Sequence, residues 1–127
     1  MIFIAAVSTI YERIGGATTV RRIVEAFYPI VQNDPIIGPL FPDNIHPVME
    51  KQYLFLTQFF GGPALYSDQY GHPMMRARHM AFPITDERAE AWLRCMGEAL
   101  TAIGMDEELK LLLLERLSGP AYHFVNH

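Results

Sequence analysis

Apolar side chains recur at three- and four-residue intervals through most of this chain, and period-two alternation is nearly absent beyond the short apolar start. A chain patterned this way must bury helix faces against other helices, so the expected class is all-α. After Gly15-Gly16, the residues Val20, Val24, Phe27, Tyr28 and Val31 fall on one face of a helix of roughly 15 residues that stops before Asp34-Pro35. Over 34–47, Pro35, Gly38, Pro39, Pro42 and Pro47 forbid a long regular helix, while Ile36, Ile37, Leu40 and Phe41 stay apolar. The expectation is a turn-rich corner packed against something else.

A second helix is predicted over 47–60, with the rows Val48-Gln52-Phe55-Phe59 and Met49-Tyr53-Leu56-Phe60 side by side and Gln52 interrupting the first. Gly61-Gly62-Pro63 ends it, and the stretch on to Pro73 reads as a long loop of the kind that carries function. A brief helical segment over 74–81 then presents His79. Thr85 is a good N-cap, followed by Asp86 and Glu87 in a first turn that favours negative charge. The helix it opens has Ala89, Trp92, Met96, Ala99 and Ile103 on one face and ends at Gly104. The last helix starts near Asp106 and contains Pro120, which is expected to kink or split it.

The chain has 127 residues, half of them hydrophobic and 19% charged, which suits one globular domain over 1–127. A net charge of -4, with no Lys/Arg run along a predicted helix, argues against nucleic acid. Cys95 is the one cysteine, so no internal disulfide is available, and its place in an amphipathic helix is that of a small hydrophobe. The opening Met1-Ile2-Phe3-Ile4-Ala5-Ala6-Val7 lacks a basic start and is too short to span a bilayer, so neither signal peptide nor membrane anchor is expected and a reduced cytoplasmic location is the default.

Signatures of phosphoryl transfer, hydrolysis and zinc binding are missing, and the five histidines share no i, i+4 spacing on one helix. One histidine stands out: His79 follows Arg76-Ala77-Arg78 and precedes Met80-Ala81-Phe82-Pro83. That setting suits haem, an apolar plate with two edge carboxylates, which needs an iron ligand, an apolar lining and cations near its rim. A histidine beside solvated arginines explains the same residues without a cofactor. Tyr28, Gln52 and Trp92 shift the balance, because each puts a polar group on the apolar face of a different predicted helix, and buried polar groups need partners.

In order along the chain, Gly15-Gly16, Phe27-Tyr28, Leu40-Phe41-Pro42, 55–63 (Phe-Leu-Thr-Gln-Phe-Phe-Gly-Gly-Pro), Tyr66-Ser67, Gly71-His72-Pro73, 76–79 (Arg-Ala-Arg-His), 91–96 (Ala-Trp-Leu-Arg-Cys-Met) and Val125-Asn126 resemble the group II truncated haemoglobins. The resemblance covers nearly everything after Ser8, so residues 1–7 read as an N-terminal extension. It implies a truncated globin fold, a two-over-two helical sandwich enclosing haem b. It makes His79 the proximal iron ligand, with Tyr28 and Trp92 as distal hydrogen-bond donors and Gln52 a further distal group. Phe41, Phe55 and Trp92 would contact the haem, and Lys51, Tyr66 and Arg78 match positions near its propionates. Val48 stands where many other globins place a distal histidine, and His46 is two residues off that position.

The function implied is tight binding and slow release of O2, with CO and NO as further ligands of an open iron site, as a carrier, store or sensor. The alternative is a haem redox enzyme that oxidises nitric oxide or activates peroxide, served by an electron-donating reductase. A haem-free helical module with an apolar groove for a partner helix is the third reading. A monomer or weak homodimer is expected.

Overall fold

A short helix, α1 (Ile10–Ile14), opens the fold and has no counterpart in the helical periodicity of the sequence. The computed structural model describes residues 8–71 and 83–126, and the predicted helix over 74–81 and the extension 1–7 lie outside them. Although only 5 residues long, α1 has a complete capping box: the Thr9 hydroxyl accepts from the Glu12 N–H at 3.1 Å, and the Glu12 carboxylate accepts from the Thr9 N–H at 3.3 Å. Gly15 then turns the chain at φ 112°, in the left-handed region that favours glycine, directly into α2 (Gly16–Gln32).

The corner after α2 forms a single 3-10 turn, Gly38–Leu40, and leads into α3 (His46–Phe59). Within 61–73, read from sequence as a long loop, the structure places a further helix, α4 (Leu65–Tyr70). Tertiary contact makes it: Gln58 of α3 donates to the Ser67 hydroxyl at 2.8 Å and accepts from the Ser67 N–H at 2.9 Å. Six residues are too few to show a helical period. The chain passes close to α1 at Gly62, where a Cβ would lie 2.8 Å from the Tyr11 ring and 2.9 Å from the Thr57 carbonyl oxygen.

Thr85 caps α5 (Asp86–Ala102) as expected, its hydroxyl accepting from the Arg88 N–H at 3.1 Å. Asp106 caps α6 (Glu107–His123). Pro120 does not split α6: the helix runs on to His123, and the Phe124 N–H returns to the Pro120 carbonyl at 3.1 Å. The proline removes one ladder bond within the last turn, where little helix remains to be disrupted.

No strand occurs among the described residues. Helix α2 packs on α3 and on α5, and α5 packs on α6, which makes two layers of two helices. Val20, Ile23, Val24, Phe27 and Val31 of α2 meet Cys95, Met96, Ala99 and Leu100 of α5 in the buried core. Cys95 is fully buried, as its apolar setting predicts, and burial together with the nearby Asp34 charge pushes its thiol up to about 11.

Asp34, 8% exposed, holds the corner to α5. One carboxylate oxygen accepts from the Ile36 N–H at 2.9 Å and the Ile37 N–H at 3.1 Å, and the other accepts from the Arg94 guanidinium at 2.7 Å. Burial opposes the charge, but Arg94 and the two N–H groups outweigh it and hold the carboxyl below its ordinary 3.8. This stabilisation is therefore present above pH 3.8 and lost as the pH falls through the lowered folded value. Asp34→Ala leaves those donors unmatched and is expected to lower unfolding stability at neutral pH by about 2 kcal/mol in urea titrations. Asp34→Asn should flatten the acid limb of the stability profile.

Candidate functional site

Between the two layers lies a cleft whose lining comes from α2, the 34–47 corner, α3, α5 and α6. It offers about 200 Å³ to the centre of a water-sized sphere, and about 920 Å³ of empty space counted out to its open mouth. Cofactor and ligand sites typically occupy roughly 300–1,000 Å³. Its walls are mostly apolar: Leu40 and Phe41 from the corner, Val48 and Phe55 from α3, Leu117 and Phe124 from the last helix and its end.

Three uncharged polar side chains line this apolar space, and they are Tyr28, Gln52 and Trp92. Tyr28 is 2% exposed, and among the described residues its hydroxyl has no hydrogen-bond partner. Burial alone raises its phenol above the ordinary range, so it stays an O–H donor. A phenol donor on the wall of an apolar cavity is available to a polar group that enters the cavity. The rings hold it there: Phe27 meets Tyr28 at 4.9 Å and Trp92 at 5.2 Å, both edge to face, and Phe41 meets Tyr28 at 5.9 Å.

The structure thus brings together Tyr28, Phe41, Val48, Gln52, Phe55 and Trp92 around one cleft. Lys51 and Tyr66 stand behind its wall. The buried Tyr66 ring lies edge to face with Phe55 at 5.9 Å and tilted against Tyr70 at 5.1 Å, while the exposed Lys51 ammonium sits 5.2 Å from the Tyr70 ring centre. His79 and Arg78 fall outside the described residues. His46 is exposed at the start of α3 and does not line the cleft.

Arg88 is a wall residue that sequence reasoning missed, and among the described residues it is the only cation lining the cleft. Directly after Asp86-Glu87 in a first helical turn, it reads as part of a solvated face. Its guanidinium donates to the Pro83 carbonyl. Ile84, the next residue, also lines the cleft. A flat apolar group with acidic edges fits what is present: aromatic and aliphatic walls, a cation on the rim, and an uncommitted donor inside.

Comparison with known proteins gives a consistent result. The family model for bacterial-like globins matches residues 9–126. Over 116 residues the chain is 46% identical to the group 2 truncated hemoglobin YjbI of Bacillus subtilis, covering 91% of this chain and 87% of that protein. The crystal structure of the group II truncated hemoglobin from Bacillus anthracis superposes with a TM-score of 0.92 at 43% identity, covering 96% of this chain and 94% of that one. The X-ray structure of a truncated oxygen-avid haemoglobin from Bacillus subtilis gives 0.89 at 44% identity, covering 94% and 100%. With its two-over-two helices, its cleft between the layers and a match that runs nearly from end to end, the chain belongs to the bacterial-like globin family, as a group II truncated haemoglobin.

Proposed function

We propose that this chain binds haem b in the interlayer cleft through His79 and takes up O2 on the side of Tyr28, Gln52 and Trp92, holding it tightly. The observation that carries this reading is the buried Tyr28 hydroxyl, which has no partner among the described residues and faces an apolar cavity. Membership of a globin family implies haem. In favour of the b type, the single cysteine, Cys95, leaves no Cys-x-x-Cys-His motif for c-type attachment. The proposal takes residues 1–127 as one domain, with 1–7 as an extension.

Haem, when bound, would supply an iron able to take up a diatomic gas. Tyr28, kept protonated by burial, donates a hydrogen bond from its hydroxyl, and the Trp92 indole N–H supplies a second donor from the facing layer. A ligand that gains negative charge on binding draws these donors far more strongly than neutral CO does. Val48 contributes no hydrogen bond and keeps water out. His79 would hold the iron, Arg78 and Lys51 would neutralise the propionates, and Tyr66 would donate a hydrogen bond to them. The oxygen-avid relative from Bacillus subtilis accords with tight binding here.

Removing one donor should speed O2 release about ten- to a hundredfold, the effect of losing a hydrogen bond to a charged group of roughly 1.5–3 kcal/mol. Stopped-flow displacement of O2 by CO from Tyr28→Phe and Trp92→Phe checks this, with CO release nearly unchanged. Wild-type O2 release from both variants would contradict it.

Two donors on one largely apolar cavity suit redox turnover better than carriage, because slow release defeats delivery. With a reductant standing in for a reductase, the oxygenated protein is expected to consume nitric oxide over many turnovers in an NO-electrode assay. A single stoichiometric burst would leave reversible binding as the function.

A further inference from the structure

Residues 83–85, which follow the His79 segment, are bound on both sides. The Ile84 N–H donates to the Asn126 side-chain oxygen at 3.0 Å, and the Asn126 N–H donates back to the Ile84 carbonyl at 2.9 Å. Both polar groups of one residue are thus held by a partner 42 positions away. On one side, Arg88 donates to the Pro83 carbonyl. On the other, the Thr85 carbonyl accepts from the Ala89 N–H at 2.9 Å as α5 begins. Pro83 has no N–H to satisfy and a fixed φ. Three consecutive residues are therefore locked between the end of α6 and the start of α5.

We propose that Asn126, assisted by Arg88, is a positioning residue for the iron ligand His79; this rests on the haem reading above. His79 lies four residues before Pro83, so it is leashed to this anchor by at most about 14 Å of chain. Only residues 80–82 separate the anchored proline from the histidine, and the pre-proline position is itself restricted towards extended backbone. An anchor this near limits how far the imidazole can lie from the cleft wall. Asn126 lies beyond the last turn of α6, so its side chain is not needed to form that helix. Its contribution is to the segment it clasps. Ile84 itself lines the cleft beside Arg88, which places the clasp at the wall and not on a remote surface.

The test uses the haem-loaded full chain with Asn126→Ala, Asn126→Asp and, should Asn126→Ala fail to fold, Arg88→Met. Three quantities are read: the rate of haem loss to an excess of a scavenging apoglobin, the iron–histidine stretching band of the reduced unliganded protein, and the thermal midpoint of the haem-free protein. Asn126→Ala is expected to lose haem about tenfold faster, at the lower end of what outer-shell partners contribute, and to shift or broaden the band. Asn126→Asp keeps an acceptor for the Ile84 N–H and should restore both. Arg88→Met should change them in the same direction as Asn126→Ala. A lowered haem-free midpoint with the band and haem loss unchanged would reduce Asn126 to general stabilisation and overturn the proposal. A wild-type protein with no band that His79→Ala removes would instead overturn the haem reading itself, so the two failures are distinguishable.

Discussion

Phe27, fully buried, meets the Trp92 ring of α5 at 5.2 Å and the Tyr28 ring at 4.9 Å, both edge to face. Adjacent helical residues point about 100° apart, so one turn of α2 can send Phe27 into the interlayer core and Tyr28 into the cleft. Because Phe27 touches Trp92 directly, the spacing of the two layers and the spacing of the two candidate donors are set by the same contact. Phe41, reaching Tyr28 from the corner, closes the row. The cavity is therefore framed on this side by the core together with the corner that carries Phe41.

The clamps around the cleft differ in chemistry but share a logic. Asp34 binds the corner carrying Leu40 and Phe41 to Arg94, two residues beyond Trp92 on α5. Gln58 fixes α4, so that Tyr66 supports Phe55 from behind. Asn126 and Arg88 hold the chain that leaves the His79 segment. In each case a polar side chain satisfies backbone or hydroxyl groups of a short or irregular segment. Irregular connections become well-defined walls in this way.

Periodicity made the long helices legible, since 14 to 17 residues give several repeats of an apolar face. It could not reveal α1 or α4, which are too short to repeat and are held by a capping box and by Gln58 respectively. Tyr28, Gln52 and Trp92 were readable because polar groups on apolar faces break the pattern. Asp34 looked like a helix stop, and only the fold shows its carboxylate buried against Arg94. The pairing of Ile84 with Asn126 spans 42 positions and leaves no local trace, although Asn126 belongs to a stretch that resembles the family. Pro120 does not split the last helix, because a proline near a helix end removes a bond without ending the helix.

The central claim is that the cleft is built for haem held by His79. It is tested most directly by titrating the haem-free protein with haemin, for the wild type and His79→Ala, while following the Soret absorption before and after reduction and addition of CO. The account predicts stoichiometric uptake by the wild type and a CO-dependent band shift that the variant loses or alters. Absence of stoichiometric uptake by the wild type would contradict it.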